Sequence, residues 1–353
     1  MLRDLFYSHP YLVYLLSFTL CYIMMPIVYQ IAKEKNFVVH PNKRSSHTSD
    51  IPNIGGMAIC VSFLIIFTIF DFSIIPEFQF LLLGMLIIFF VGIVDDILVL
   101  SPLEKLIGES ISGFCLICLA NIRITNLCGV FDLYDLPLLP SYLLSLFILL
   151  ALTNSINLID GVDGLASGHG MLYCLFYGCY FALVSDTAWA IMAICLMGSM
   201  SVYFIYNVFG RKKIFMGDSG SLFLGYVLTA IIIHFIELNN GSYQTNYQIA
   251  NAPFVCLCTT IVPIYDMVRV AIIRMHNNKS PFLPDKNHIH HLLLQNNFSH
   301  VQITCILLFI SVIFILLGFL FRNISMFISF SLITVLYYSL TYLLVRLTKN
   351  HHA

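Results

Sequence analysis

Charged residues are scarce in this sequence. Asp, Glu, Lys and Arg make up 10% of its 353 residues, against 59% hydrophobic ones, which is too apolar for a soluble domain of this length. It also lacks internal repeats, low-complexity tracts and long linkers. That excludes a solenoid or a string of modules and leaves one transmembrane domain over residues 1–353. The first apolar run has no basic leader and no small-residue cleavage site, so it reads as a retained helix rather than a signal peptide. There are 11 cysteines, but most fall inside apolar runs. Cys115 and Cys118 form a CxxC with no second pair or histidine at ligand spacing, so they read as packing residues rather than a zinc site or disulfide framework. The net charge of −1 gives no sign of a nucleic-acid partner.

What is present is a series of apolar runs of about 17–25 residues, the length needed to cross a bilayer. They predict an all-α polytopic integral membrane protein with eleven spans, near 10–32, 54–70, 78–94, 106–120, 138–153, 169–184, 188–209, 221–237, 250–273, 301–320 and 325–345. The connections after the odd-numbered spans, with the C-terminus, carry Lys33, Lys35, Lys43, Arg44, Lys105, Arg211, Lys212, Lys213, Arg274, Lys279, Lys286, Arg346 and Lys349. The opposite face has only Arg3, Arg123 and Arg322. The positive-inside rule then puts the N-terminus outside and the C-terminus in the cytoplasm.

Five polar clusters interrupt the apolar runs, all on that cytoplasmic face. Asp95 and Asp96 close the third run; charge near mid-bilayer costs about 2.5–3.5 kcal/mol or more, so the pair must face water or a protein cavity. Neighbours on a helix point about 100° apart, which predicts different partners for the two. Asn154, Asn157, Asp160 and Asp163 recur every third residue near one face of a helical turn. Gly161, Gly164 and Gly168 then allow the backbone to turn and approach a ligand. Gly217-Asp218-Ser219-Gly220-Ser221 opens the eighth span, where backbone N–H groups form an anion site. A carboxylate there repels phosphate unless a divalent cation lies between them, and hard oxygen ligands favour Mg²⁺ or Mn²⁺. Phe215, three residues before Asp218, is a candidate to stack on a base, though taken alone it reads as a packing residue. His288, His290 and His291, in a connection at roughly 274–300, have no cysteine nearby; they suit phosphate binding better than zinc. His47 and its basic neighbours form the fifth cluster.

Together these residues resemble the polyprenyl-phosphate N-acetylhexosamine-1-phosphate transferases, the WecA/MraY-type family. The matching pieces are Pro41-Asn42-Lys43-Arg44-Ser45-Ser46-His47 with Pro52 and Gly55-Gly56, then Asp95-Asp96 with Leu100-Ser101-Pro102 and Lys105. Asn154 through Ala166, Phe215 through Ser221, Pro263 with Asp266, and His288-Ile289-His290-His291 complete the series, covering about residues 39–295 in family order. The His-Ile-His-His form, preceded by Ser280-Pro281-Phe282, looks like the branch that uses a simple UDP-N-acetylhexosamine. The branch using UDP-MurNAc-pentapeptide carries three consecutive histidines. One departure is Val39, where many relatives have Asp.

The resemblance implies transfer of a sugar 1-phosphate, GlcNAc-1-phosphate first, from a UDP-sugar to undecaprenyl phosphate at a bacterial inner membrane, with a homodimer as one possible assembly. UMP is released, and the lipid-linked pyrophosphoryl sugar starts a cell-envelope polysaccharide such as the lipopolysaccharide O-antigen. On this pattern Asp218 and Asn157 hold Mg²⁺, and Asp163 and Phe215, with Gly161 and Asn154, bind the nucleotide. Asp95 and Asp96 position or deprotonate the lipid phosphate, which with a second pKa near ~6 is already largely dianionic. Lys105, Asp160, His288, His290, His291, Arg44 and His47 take the phosphates or sugar. An ion-coupled transporter is the alternative from another class; it predicts half-helix breaks near mid-membrane and inverted internal symmetry, and the sequence shows neither.

Overall fold

The computed structural model describes residues 9–39, 51–69, 78–130, 133–241, 247–280 and 287–350. Arg44 and His47, with the rest of the Pro41–His47 segment, and Pro281 through Lys286 lie outside the described residues.

The described residues are mainly helical. The helices are α1 (Pro10–Glu34), α2 (Gly55–Ile69), α3 (Phe78–Leu98), α4 (Pro102–Phe114), α5 (Leu138–Ile159), α6 (Leu165–Leu183) and α7 (Thr187–Phe204). They continue with α8 (Gly217–Leu238), α9 (Ala252–Thr259), α10 (Ile261–His276), α11 (Ile289–Gln295), α12 (His300–Leu320) and α13 (Met326–Asn350). A π-helical turn extends α4 over Cys115–Leu119 and another extends α7 over Ile205–Phe209. The strands are short: β1 (Val38–Val39) pairs antiparallel with β2 (Ile51–Pro52), and β3 (Asn126–Val130) with β4 (Leu133–Asp135).

Every apolar run contains helix, and among the described residues seven helices are long and apolar enough to cross a membrane: α1, α3, α5, α7 with its π turn, α8, α12 and most of α13. The α9–α10 pair makes an eighth if its two halves count as one span. The protein is a multi-pass membrane protein. The count of eleven is not confirmed. Helix α2 is described over 15 residues, up to the edge of the described segment. Helices α9 and α10 meet at 76°. Pro263 lacks the N–H that would bond the Thr259 carbonyl, so the helix breaks at Thr260 instead of running through.

Helix α8 is the axis of the fold, with almost every residue from Gly217 to Leu238 buried. It is gripped closely because its neighbours present glycine: a Cβ on Gly92 of α3 would lie 2.4 Å from Ser219 Cα, and one on Gly56 of α2 would lie 2.2 Å from Gly220 N. The backbone ahead of α8 is fixed by strand-like bonds, from Phe215 N to Pro52 O (2.8 Å), Gly55 N to Phe215 O (2.8 Å) and Gly56 N to Met216 O (2.7 Å). At the far end of α8, Glu237 accepts from the Thr125 N–H (2.7 Å) and hydroxyl (2.6 Å). Asn239 there accepts from the Tyr180 hydroxyl (2.8 Å). The near end is left to the polar clusters.

Candidate active site

The C-terminal ends of α3 and α5 meet the N-terminal ends of α4 and α8, and their polar side chains form one connected group. Lys105, one turn into α4, places Nζ 2.9 Å from Asp95 Oδ2 and 2.7 Å from Asp218 Oδ1. Asn157 donates through Nδ2 to the same Asp218 oxygen and to Ser221 Oγ (2.8 Å). Lys105 is aimed by a capping box. Ser101 accepts from Glu104 N (3.4 Å), and Glu104 accepts from Ser101 N (2.8 Å), which fixes the first turn of α4.

Asp95 and Asp96 diverge, as adjacent residues on a helix must. Asp95 is 8% exposed; its Oδ1 accepts from Leu100 N (2.8 Å) while Oδ2 faces Lys105. Asp96 turns onto α8. Its Oδ1 accepts from Asp218 N (2.7 Å) and from Asn53 Nδ2 (3.3 Å), and its Oδ2 from Ser219 N (3.0 Å). The helix N-terminus read as an anion site is therefore occupied by the protein's own carboxylate. Gly217 makes the approach possible: its φ is +74°, and a Cβ there would lie 2.3 Å from Asn53 O. Only glycine meets both conditions without strain.

The four Asn and Asp residues after Leu150 split between two groups because α5 ends at Ile159. Asn157 joins Asp218. Asn154 points into the bundle instead, donating to Glu109 Oε2 (2.6 Å) and Leu150 O (2.9 Å), so its amide is committed away from the proposed nucleotide contact. Glu109 is fully buried and was not singled out in the sequence. Asp160 caps the end of α5; burial first, then the charges of Asp218, Asp96 and Asp163, push its carboxyl well above the usual range.

Asp163 anchors the second group. Its Oδ2 pairs with Lys213 Nζ and lies 3.0 Å from His300 Nδ1. Thr304, one turn further along α12, donates to the Asp163 carbonyl (2.8 Å). Burial raises the Asp163 carboxyl, but hydrogen bonds from His300 and Lys213 outweigh it and hold the group below the usual range. Lys213 Nζ also lies 5.8 Å from the centre of the Phe215 ring, so one ammonium links Asp163 to Phe215. Gly164 follows with φ +74°, and its N–H donates to Asn207 Oδ1 (2.6 Å).

The histidine segment is held by Asp266, 1% exposed. Asp266 accepts from Arg269 Nη2 (2.7 Å), Ile289 N (3.1 Å) and, through Oδ2, pairs with His288 Nδ1 (2.8 Å). His290 is buried against the Asp160–Asp163 loop, and a Cβ on Gly161 would lie 3.5 Å from its Nε2. His288 Nε2 and both ring nitrogens of His290 are buried without a hydrogen-bond partner. Burial pushes the His290 imidazole down to about 3, keeping it neutral. These orphaned ring nitrogens are poised for a polar ligand. The ring of His291 lies 4.3 Å from that of His290.

No three His, Cys, Asp or Glu side chains among the described residues form a metal cluster by themselves. Mg²⁺ does not need one, because it retains several waters and uses one or two carboxylates beside substrate phosphates. The residues fit such an ion: the Lys105 ammonium already stands as a cation between two carboxylate oxygens, and a turn of the Asn157 amide presents a third hard oxygen.

Sequence comparisons bear on the same segments. A model of the family described as Glycosyl transferase family 4 matches residues 78–236, from α3 through nearly all of α8. The undecaprenyl-phosphate alpha-N-acetylglucosaminyl 1-phosphate transferase of Escherichia coli O157:H7 is 28% identical over 77% of this chain and 73% of its own length. The Yersinia pestis protein of the same name is 28% identical over 82% of this chain and 78% of its own. The decaprenyl-phosphate N-acetylglucosaminephosphotransferase of Mycobacterium leprae is 28% identical over 84% and 79%. Over residues 78–236 the chain is thus similar to glycosyl transferase family 4, and over most of its length to these transferases.

Proposed function

We propose that the protein transfers N-acetylglucosamine 1-phosphate from UDP-N-acetylglucosamine to undecaprenyl phosphate, releasing UMP and forming the lipid-linked pyrophosphoryl sugar that opens a cell-envelope polysaccharide. The observation that carries this reading is the group Asp95–Lys105–Asp218–Asn157 beside the Asp163–Lys213–His300 group at one end of an apolar bundle. A soluble nucleotide sugar and a membrane-bound phosphate can both reach such a place. The names of the relatives supply the substrates. In this reading the site faces the cytoplasm across a bacterial inner membrane, within eleven spans if α2, α4, α6 and the α9–α10 pair are each counted; the Lys and Arg distribution supports that orientation.

In the reaction an oxygen of the acceptor phosphate attacks the β-phosphorus of the donor. The bond from that phosphorus to the bridging oxygen breaks, and UMP leaves. Two anions must meet, so catalysis is mainly charge neutralisation and positioning. Asp218 and Asn157 would hold Mg²⁺, which when bound neutralises the donor pyrophosphate. Lys105 supplies a mobile positive charge to the transferred phosphoryl group, and Asp95 aims it. Asp96 holds the start of α8, and with it Asp218, in register. Asp163 and Phe215, beside Gly161, receive the uracil. His288, His290 and His291 offer ring nitrogens to the sugar or its phosphate, next to Asp160; Arg44 and His47 remain candidates for the same anions. Asn154 acts through Glu109 as a support.

The test is purified protein with Mg²⁺, undecaprenyl phosphate and a panel of UDP-sugars. UMP release with UDP-GlcNAc, absent without lipid phosphate, supports the reading. Release only with UDP-MurNAc-pentapeptide, or none with any donor, overturns it.

A further inference from the structure

Asp163 is held unevenly. Oδ2 pairs with the Lys213 ammonium and lies 3.0 Å from His300 Nδ1, a ring nitrogen that also lies 3.1 Å from the Asp163 N–H, whereas Oδ1 accepts no hydrogen bond among the described residues. The two partners come from opposite ends of the sequence. Lys213 lies in the connection from α7 to α8, and His300 is the first residue of α12, beyond both the residues matched by the family and the histidine segment. His300, Thr304 and Leu308 lie on one face of α12. They touch, in turn, the Asp163 carboxylate, the Asp163 carbonyl and the space above Gly168. The start of α12 is itself fixed by a capping box, with Ser299 and Gln302 bonding each other's backbone. Asp163 is thus clamped at one oxygen and open at the other.

We infer that Lys213 and His300 form a specificity clamp: by holding Asp163 Oδ2 they keep Oδ1 an obligate acceptor, so that the site takes a uracil-type base and rejects cytosine. This rests on the reading of Asp163 as the base contact. An ionised carboxylate can only accept hydrogen bonds, whereas a protonated one also donates. Opposite ring position 3, uracil offers an N–H and cytosine a lone pair. A carboxylate that cannot protonate therefore pairs with the first and repels the second, and sites built on a buried hydrogen bond discriminate strongly against analogues that leave it unmade. Release either partner, and a protonated Asp163 can donate to the cytosine lone pair. Lys213 and His300 touch no reacting atom, so they are positioning residues.

The experiment is calorimetric titration of UMP and CMP into full-length protein in detergent, with donor kinetics alongside. Lys213→Met and His300→Leu should lower the ratio of UMP to CMP affinity by roughly tenfold each, the scale of one charge-assisted hydrogen bond. The donor KM should rise more than kcat falls. Lys213→Arg and His300→Gln retain a donor and should recover much of the ratio, which a purely structural role would not predict. Asp163→Ala separates the two levels of the argument. If it binds UMP as well as the wild type does, the base-contact reading is wrong. If it loses UMP while Lys213→Met and His300→Leu keep the wild-type UMP-to-CMP ratio, the clamp is wrong and the base contact stands.

Discussion

Asp96 and Asp218 are joined through the backbone: the Asp96 carboxylate accepts the Asp218 N–H at 2.7 Å and the Ser219 N–H at 3.0 Å. An acid on α3 thereby does for α8 what an N-cap side chain does from within a chain. It satisfies orphaned donors and places negative charge at the positive end of the helix dipole. Asp218 is then free to point its side chain at Lys105 and Asn157. The two carboxylates of the Asp95-Asp96 pair have separate work, Asp95 at the Lys105 ammonium and Asp96 at the start of α8.

That division predicts different failures. Asp96→Asn leaves one acceptor oxygen and turns an amide NH₂ toward a donor, so at least one buried charge-assisted bond is lost, at about 1.5–3 kcal/mol. Both turnover and thermal stability should fall. Asp95→Asn should cut turnover while the melting temperature stays close to wild type. A thermal-shift assay beside UMP-release kinetics checks both, and equal melting losses for the two variants would contradict the assignment.

The helical segments and the Asp95, Asp163, Asp218 and histidine clusters were legible because each is local: apolar run length, helical spacing, a glycine before a helix. Their partners were not. Lys213 read as one of three basic residues in a connection, and His300 as the residue before an apolar run. Glu109 was one acid beyond a family-matched lysine. What gives these residues meaning is contact between segments up to 137 residues apart, as between Asp163 and His300, and no periodicity reports that. Asn154 shows the converse. Its spacing aligned it with Asn157, yet with α5 ending just beyond them it faces Glu109 instead. The bend at Thr260 falls inside one predicted span, 250–273, where Pro263 was its local signal.

Asp163 gives a pH prediction. Its folded pKa is held below the ordinary value of about 3.9. The stabilisation from its pairs is therefore complete above that ordinary value and is lost only as pH falls through the lower folded value. Lowering the pH from about 8 to about 5 should not weaken UMP binding through Asp163 in the wild type. In Lys213→Met the loss should begin at higher pH. Titrations of both proteins across that range decide it, and parallel curves would count against the pairing.

The membrane arrangement can be checked independently. With reactive native thiols removed, cysteines at Ser46, Lys212 and Lys279 should be labelled by an impermeant reagent only from the cytoplasmic side, and one at Asn240 only from outside. Lys212 lies in the same connection as Lys213, and Asn240 just beyond the far end of α8, so this pair brackets the longest-buried helix. Reversed labelling of the pair would put the whole site on the wrong face.

Lys105 yields the least intuitive outcome. Its ammonium sits 2.9 Å from Asp95 Oδ2 and 2.7 Å from Asp218 Oδ1, the place a divalent cation would take on Asp218. A lysine that only assists the metal would weaken metal binding when removed; one that fills the same space competes with it. Lys105→Met should therefore cut turnover by roughly a hundredfold or more, since a charge on the transferred phosphoryl group is lost. It should also tighten Mn²⁺ binding, measured by electron paramagnetic resonance without substrate. Asp218→Asn should lose both turnover and Mn²⁺ binding, because the ion forfeits its charged ligand. Asn157→Ala should weaken both mildly and be partly restored by excess metal. Weaker Mn²⁺ binding in Lys105→Met would show that the ammonium and the metal occupy separate places, and unchanged binding in Asp218→Asn would remove the metal from Asp218 altogether.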